Sequence, residues 1–282
     1  MDPDSPSGPN CSKTGNCFYD FQDDDGTEIS GDFSKDTLTI APNISVPAFK
    51  FGCTHSAQGT FGLEAGFLAL GRSNTSIVVQ TANTFNQCFS CCMPSNPSSK
   101  GFLVLEKDYD CTTKFTPLIT ILFSEYMYFI NIIAIAVDGR NLQYNPSAFL
   151  RSTNTFIDSS IYITELPEGV YSALSTEFRR LMLNNYGYKK AKPLSDGSSL
   201  DICFVPHKTN NSIPFVPFTF QNNVKVDLDF FGIVKVYNAS LMRLAFTSGD
   251  TNIATFGITQ QKTFEVVYDV GGHRLGFIPK RC

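Results

Sequence analysis

The stretch from Thr155 to Leu166, T-F-I-D-S-S-I-Y-I-T-E-L, constrains the fold more than any other part of this sequence. It predicts an apolar strand that enters a turn at Asp158, followed by a second apolar strand. Buried strands on both sides of a turn hold a carboxylate in a fixed position, which is how enzymes place a catalytic acid. The same pattern has a simpler interpretation, because an Asp side chain bonds nearby backbone N–H groups and so favours turns.

The composition predicts an all-β protein with a sizeable core. The chain has 282 residues, enough for two lobes or one large domain, and 42% of them are hydrophobic. It contains 26 Phe and no Trp, and its 20 Gly and 15 Pro separate short apolar runs. Short apolar segments between turn-forming residues are typical of all-β folds.

The charge pattern argues against several classes of partner and cofactor. Only 17% of the residues are charged and the net charge is −4, with no basic stripe, so we expect no nucleic-acid partner. His55, His207 and His273 stand singly without other ligands at metal-binding spacing, so we assign no metal and no cofactor. The longest apolar segment has about 12 residues, against the ~20 that a membrane span needs.

The cysteines and glycosylation motifs indicate an oxidising, secretory environment. The chain has nine Cys, an odd number that cannot all pair internally. Possible N-glycosylation sites stand at Asn10, Asn43, Asn74, Asn210 and Asn238. The opening M-D-P-D-S-P-S-G-P-N has neither the basic start nor the apolar centre of a signal peptide. We interpret this conflict as an N-terminus that is missing from the sequence.

The segment Cys17–Phe33 predicts a hairpin, because alternating residues flank a turn that contains Gly26 and Thr27. The strand Asp36–Ile40 follows it. Three adjacent carboxylates, from Asp23 to Asp25, make the tip of the hairpin strongly anionic. A calcium loop is one interpretation, but the Gly and distal Glu of an EF-hand are absent, and a solvated acidic turn fits better.

Three later segments have clear patterns. Gly66–Arg72, G-F-L-A-L-G-R, predicts a buried strand in which Gly marks a close backbone approach. Pro167 suits a first helical position, and an apolar face at Val170, Leu174, Phe178 and Leu181 predicts one main helix. Near the C-terminus, V-V-Y-D-V-G-G-H-R-L-G-F predicts a hairpin around two glycines.

These landmarks, in this order, resemble those of plant pepsin-like aspartic peptidases of the nepenthesin kind. The resemblance runs from about residue 11 to 282 and includes C-F-Y, F-G-C-T-H, F-S-C-C-M, F-T-P-L-I, L-D-I-C-F and F-G-I-T-Q-Q. It implies an all-β, pepsin-like bilobal fold. Residues 1–117 would form a partial N-terminal lobe with the flap hairpin, and residues 118–282 would form a complete C-terminal lobe with one main helix.

The resemblance also implies a role for the Asp158 turn. In intact relatives, two Asp residues activate one water molecule to cleave a polypeptide, and Asp158-Ser159 resembles the start of the second Asp turn. Ser160 stands where the family has Gly, Ile161 stands where it has Thr or Ser, and Asp23 stands where the flap has Tyr. No Asp-Thr-Gly or Asp-Ser-Gly occurs in the chain. We therefore expect this chain to be inactive as it stands.

Two function classes remain open. One is a peptidase relative that acts on polypeptide substrates only when completed by further residues. The other is a non-catalytic protein that binds a protein ligand, similar to the plant xylanase inhibitors. The resemblance places either of them in the secreted, vacuolar or apoplastic space.

The resemblance further implies a disulfide pattern. Cys92 and Cys282 fall on family cysteines that pair, so we predict a Cys92–Cys282 disulfide. Arg243 replaces the cysteine that would pair with Cys203, so we expect Cys203 to be a buried thiol. Cys91 beside Cys92 is either a vicinal redox pair or a spare thiol. We expect some of Cys11, Cys17 and Cys53 to lack partners, and we leave their connectivity and that of Cys91 and Cys111 open.

Overall fold

The structure is a computed structural model of the full chain. It describes residues 10–12, 17–22, 26–59, 65–94, 98–106, 109, 112–122, 124–150, 153–193, 199–207, 212–262 and 264–279. The chain forms two compact units, Met1–Cys88 with Ile121–Met127 and Phe89–Thr120 with Tyr128–Cys282. We call these the first and the second unit.

The first unit is built on one antiparallel sheet with the strand order β1-β2-β3-β4. Its elements are β1 (Asn10–Cys11), β2 (Cys17–Gln22), β3 (Glu28–Ala41), β4 (Ile44–Gln58), α1 (Ile77–Gln80) and α2 (Ala82–Phe85). The pairing of β2 with β3 confirms the predicted hairpin, and β3 continues through the predicted strand at Asp36–Ile40. The long strand β4 is mostly exposed along its length, whereas β3 alternates between exposed and half-buried positions and buries only Gly31.

The described residues of the second unit form four sheets and the main helix. Its strands are β5 (Cys88–Cys92), β6 (Phe102–Val104), β7 (Phe115–Pro117), β8 (Phe129–Ile130), β9 (Ile132–Val137), β10 (Arg140–Asn141), β11 (Thr155–Ile157), β12 (Thr164–Pro167), β13 (Lys189–Lys190), β14 (Cys203–Val205), β15 (Pro217–Phe220), β16 (Val224–Asp227), β17 (Val234–Asn238), β18 (Leu241–Leu244), β19 (Phe246–Gly249), β20 (Ala254–Phe256), β21 (Phe264–Asp269) and β22 (Arg274–Pro279). Its helices are α3 (Glu168–Asn184), α4 (Phe230–Ile233) and α5 (Ile258–Gln261), with 3₁₀ turns at Pro146–Ala148 and Gln221–Asn223.

The strand orders of these sheets are β10-β9-β15-β16, β19-β12-β20-β11-β8, β13-β14-β18-β17 and β6-β5-β21-β22-β7. The core of the second unit is rich in phenylalanine. Phe218 stacks on Phe246, and Phe256 packs edge-on against both Phe218 and Phe220. Aromatic pairs of this kind contribute ~0.5–1.5 kcal/mol each beyond the apolar area that they bury.

The main helix confirms the sequence pattern. α3 begins after Pro167, and the four residues of the predicted apolar face are all buried, together with Ser175 and Met182. Because α3 is the only helix longer than four residues in the described part of the chain, the predicted fold of β-strands with one main helix is confirmed.

Two expectations about local structure are corrected. The segment Gly66–Arg72, predicted as a buried strand, has no strand in the structure, and the side chain of Phe67 is 80% exposed. Apolar residues form a strand only where a neighbouring strand pairs with them, and none of the described strands does so here. The family resemblance also implies that Tyr126–Arg140 contains the first long strand of the second lobe. In the structure, the apolar run instead divides into β8 and β9 around Asn131.

Residues 89–120 group with the second unit because β5, β6 and β7 share a sheet with the C-terminal hairpin β21–β22. The first unit instead takes in Ile121–Met127. The division into residues 1–117 and 118–282 therefore stays a prediction from the family resemblance.

Candidate functional site

The sheet with the order β19-β12-β20-β11-β8 carries Asp158. β11 pairs in parallel with β20, so that Ile157 lies opposite Phe256, and β12 pairs in parallel with β19. Asp158 directly follows β11, and its backbone N–H donates to the carbonyl oxygen of Phe256 at 3.3 Å. The predicted strand–turn–strand is confirmed, with the turn lying in residues 158–163 between buried strands.

The Asp158 carboxylate is engaged within its own turn. Its Oδ1 atom accepts two hydrogen bonds from Ser160, one from the backbone N–H and one from the hydroxyl, each at 2.8 Å. A Gly at position 160 would supply only the first of these bonds. Ser160 therefore adds a second local donor to one oxygen of the carboxylate, while both Ser159 and Ser160 are exposed.

A close backbone approach fixes the far side of the turn. A Cβ atom at Gly257 would lie 2.8 Å from the carbonyl carbon of Ile163 and 2.9 Å from the carbonyl oxygen of Ile161. Only glycine permits this contact, which lets the N–H of Ile258 donate to the Ile161 oxygen at 2.7 Å. The backbone of Ile161 is thus well held, while its side chain is 36% exposed.

Two buried glutamines brace the turn from α5. The amide nitrogen of Gln261 donates to the carbonyl oxygens of Asp158, at 3.1 Å, and Phe256, at 2.9 Å. Gln260 accepts a hydrogen bond from the N–H of Thr164 and donates to the carbonyl oxygens of Gly232 and Ala245. The segment F-G-I-T-Q-Q resembles the family sequence, but the sequence alone did not predict a role for these two glutamines. The sequence feature that could have indicated their role is the pair of consecutive Gln residues beside a buried strand.

An aromatic cluster lies in the same unit, close enough to interact electrostatically with Asp158. The ring of Tyr268 stacks on Phe89, with centroids 4.5 Å apart, and meets Tyr128 edge-on at 4.7 Å. Burial, and then the nearby Cys91, Tyr128 and Asp158, raise the pKa of Tyr268 well above its usual value. Burial and the nearby Glu265 raise the pKa of the Cys91 thiol to about 11. Both groups therefore stay protonated at any pH at which aspartic-type chemistry operates.

The remaining predicted site residues fall in several places. Asp23 and Asp25 of the flap lie outside the described residues. Gly26 adopts a positive φ of 84°, as a turn residue does, and Thr27 follows it before β3. Among the sequons, Asn43, Asn74 and Asn238 are exposed, as a glycosylation site must be. The side chain of Asn10 and all of Asn210 lie outside the described part, and glycosylation stays a prediction.

The disulfide expectations have mixed outcomes. Cys11 and Cys17, whose connectivity the sequence left open, form a disulfide with each other across β1 and β2. Cys53 is an exposed thiol, which agrees with the expectation that some of these three cysteines lack a partner. Cys92 is disulfide-bonded. Because Cys282 lies outside the described residues, the Cys92–Cys282 pairing stays a prediction.

Cys203 and Arg243 are direct partners in the ladder between β14 and β18. Cys203 is a buried thiol, and Arg243 is completely buried. The structure therefore places Arg243 where a disulfide partner of Cys203 would stand. Cys91 is also a buried thiol, adjacent in sequence to the disulfide-bonded Cys92. This arrangement fits a spare thiol better than a vicinal redox pair.

The described residues include no group of three or more His, Cys, Asp or Glu side chains arranged to hold a metal ion. The same residues include no helix long and apolar enough to cross a membrane.

Comparison with known proteins shows the family. The family model described as xylanase inhibitor N-terminal matches residues 2–105, and the model described as xylanase inhibitor C-terminal matches residues 127–279. An aspartyl protease family protein of Arabidopsis thaliana is 38% identical over 271 residues, covering 95% of this chain and 56% of the relative. Aspartic proteinase nepenthesin-1 of Nepenthes gracilis is 29% identical, and the match covers 98% of this chain and 63% of nepenthesin-1. The chain belongs to the plant pepsin-like aspartic peptidase family.

Solved structures show the same fold. Basic 7S globulin from soybean superposes with a TM-score of 0.75 at 22% identity, covering 99% of this chain and 76% of the globulin. Conglutin gamma from lupine seeds gives a TM-score of 0.75 at 18% identity, and the match covers 93% of this chain and 72% of conglutin gamma. The chain spans about 56% of the length of the Arabidopsis relative.

Proposed function

We propose that this 282-residue chain recognises polypeptides but does not hydrolyse them. The observation that carries the proposal is the state of the Asp158 turn, where Ser160 engages one carboxylate oxygen twice and Ile161 presents an apolar side chain. Both positions depart from the residues that the family uses for catalysis.

The chemistry of the family supports the proposal. Hydrolysis by a water molecule between two carboxyl groups requires one ionised carboxylate to accept a proton and one protonated carboxyl to donate one. Asp158 is the one Asp of this sequence in a turn that resembles the catalytic motif, so a single carboxyl group would have to perform both tasks.

Ile161 weakens the site further. In relatives, a hydroxyl at this position bonds across to the other Asp turn. An isoleucine cannot form such a bond, and an unpaired buried partner costs about 1–3 kcal/mol. A misplacement of about 1 Å at a catalytic centre can reduce the rate ~10²-fold.

A second candidate is a peptidase half that becomes active when an opening segment with an Asp-Thr-Gly turn is joined to it. The bracing by Gln260 and Gln261 and the close approach at Gly257 favour this candidate, since both hold the turn firmly. In either case we propose a polypeptide as substrate or ligand, and a secreted, vacuolar or apoplastic location.

A cleavage assay tests the proposal. Purified chain is incubated with acid-denatured globin between pH 2.5 and 5, beside the Asp158→Ala variant as the matched control. We expect no cleavage above the level of the variant at any pH. Globin fragments that appear with the unaltered chain and disappear with Asp158→Ala would overturn the proposal.

A further inference from the structure

A ladder of cations and aromatic rings lies next to the Asp158 turn in the second unit. The ammonium of Lys235 lies 4.6 Å from the ring centroid of Tyr162 and 5.0 Å from that of Tyr237. Lys262 lies 5.6 Å from the Tyr162 ring, and the guanidinium of Arg243 lies 4.7 Å from the Tyr237 ring. Two tyrosines thus bring three cations together; we call these five residues the cation–tyrosine ladder.

The fold assembles the ladder from three places in the sequence. Lys235 in β17 lies directly opposite Arg243 in β18, so the two cations share one face of the sheet. The register shifts between Val236 and Asn238, so Tyr237 lies at a bulge, a feature that re-aims a side chain. Tyr162 comes from the Asp158 turn, and Lys262 directly follows α5.

The exposed face of the ladder indicates the chemistry of a partner. The ammonium groups of Lys235 and Lys262 both lie against the ring of Tyr162. Tyr162 is 49% exposed and Tyr237 is 36% exposed, so both rings are open to solvent beside their cations. A site that combines clustered positive charge with exposed rings complements a negatively charged partner that also carries apolar groups.

The strand β17 indicates what kind of partner fits. It is the end strand of the sheet β13-β14-β18-β17, and no described strand pairs with its outer edge. An unpaired edge offers backbone N–H and C=O groups to an extended chain, which is a common mode of peptide recognition. Exposed apolar side chains at Val236 and Ile161 flank the edge and the turn.

We propose that the cation–tyrosine ladder and the edge of β17 bind an acidic, extended polypeptide segment. The segment's carboxylates contact Lys235 and Lys262, its backbone pairs along β17, and its apolar groups contact Tyr162 and Ile161. This inference rests on the proposed polypeptide recognition and names the chemistry of the ligand. It also gives Ile161 a role, since an apolar residue there extends the contact surface.

Fluorescein-labelled poly-L-glutamate tests the site at pH 7, read by fluorescence anisotropy with the whole chain. We expect saturable binding that weakens with added salt, because the contacts are exposed ion pairs. Each such contact contributes up to about fivefold in affinity, so Lys235→Gln with Lys262→Gln should weaken binding roughly tenfold. Tyr162→Leu keeps apolar bulk but removes the ring, and should weaken binding by about threefold.

Lys225 provides the matched control. Its ammonium lies 5.4 Å from the ring centroid of Phe215, in the same unit but in the sheet with the order β10-β9-β15-β16. Lys225→Gln should therefore leave the affinity unchanged. Thermal unfolding of each variant checks that the chain remains folded.

A binding measurement with polygalacturonate distinguishes a site for acidic polypeptides from a site for any polyanion. Polygalacturonate carries carboxylates but no peptide backbone, so we expect at least roughly tenfold weaker binding, since it cannot pair along β17. Equal binding of the two polymers, no binding of poly-L-glutamate, or an equal loss with Lys225→Gln would each overturn the inference. Globin cleavage is measured separately from binding of poly-L-glutamate. A chain that cleaves globin and also binds poly-L-glutamate would contradict the proposed function but would still support the proposed binding site.

Discussion

Replacement of Arg243 by Cys should create a disulfide with Cys203. The two positions are direct partners in the antiparallel ladder of β14 and β18, where Cα atoms lie about 4.5–5.5 Å apart, within the range that a disulfide spans. The resemblance to aspartic peptidases implies a cysteine pair here, and the structure supplies the geometry for it. We therefore expect Arg243→Cys to oxidise spontaneously in air at neutral pH.

The magnitude follows from the length of the loop that the disulfide closes. A loop of about 40 residues lowers the entropy of the unfolded chain enough to stabilise the fold by about 4 kcal/mol. Loss of the buried Arg243 also changes packing, since its guanidinium contacts the Tyr237 ring. The oxidised and reduced forms of the same variant share that loss, so the difference between their free energies of unfolding isolates the disulfide.

The assay is guanidinium unfolding followed by circular dichroism, with and without dithiothreitol. Arg243→Ser is the matched control, because serine is similar in size to cysteine and cannot pair, and its response to dithiothreitol reports only the disulfides already present. We expect oxidation to stabilise Arg243→Cys by about 2–4 kcal/mol more than it stabilises Arg243→Ser. Thiol titration that finds both cysteines reduced in air would refute the placement of Arg243 opposite Cys203.

Three further predictions concern stability and reactivity. Burial of Asp269 opposes its ionisation, but hydrogen bonds from Tyr109, Arg274 and Gly272 outweigh this effect and lower the pKa of the Asp269 carboxyl group. The ionised carboxylate therefore stabilises the fold at pH values above its pKa in the unfolded chain. This contribution to folding stability is lost as the pH falls through the pKa in the folded protein. Asp269→Asn should therefore reduce the free energy of unfolding by about 1–3 kcal/mol at pH 7, and by less at pH 3, in urea titrations at both pH values. Gln260→Ala removes three buried hydrogen bonds and should reduce it by about 2–5 kcal/mol, measured in the same way. In native protein, Ellman's reagent should modify the exposed Cys53 rapidly and the buried Cys91 only on unfolding; rapid modification of Cys91 itself, located by peptide mass mapping, would contradict this.

The elements that sequence reasoning predicted well are those whose pattern is local. The apolar face of α3 repeats at helical spacing, and the hairpin β2–β3 alternates around a turn, so each pattern carries its own structure. The strand–turn–strand at Asp158 belongs to the same group. By contrast, Gly66–Arg72 has a strand-like sequence but no described pairing partner, and a strand depends on its neighbour.

The candidate site shows the same difference between features with a local sequence pattern and features that depend on distant residues. Asp158 and the departures at Ser160 and Ile161 were visible in the sequence, because they interrupt a short contiguous pattern. The cation–tyrosine ladder was not visible, because Tyr162 lies more than 70 residues before Lys235 and Arg243 in the chain. These residues meet only through the fold, including the strand register and the bulge at β17. The bracing by Gln261 depends likewise on the parallel pairing of β11 with β20.

The most direct test of the account measures whether the Asp158 turn itself prevents catalysis. An opening segment from an active relative, carrying its Asp-Thr-Gly turn, is fused ahead of Cys17, and acid hydrolysis of denatured globin is measured as kcat/KM. We expect little or no activity for this fusion. We expect Ser160→Gly, Ile161→Thr and Asp23→Tyr together to restore activity by more than the sum of their separate effects, because they act in one network. Full activity of the fusion without these substitutions would contradict both expectations, and would show that the turn around Asp158 is competent as it stands.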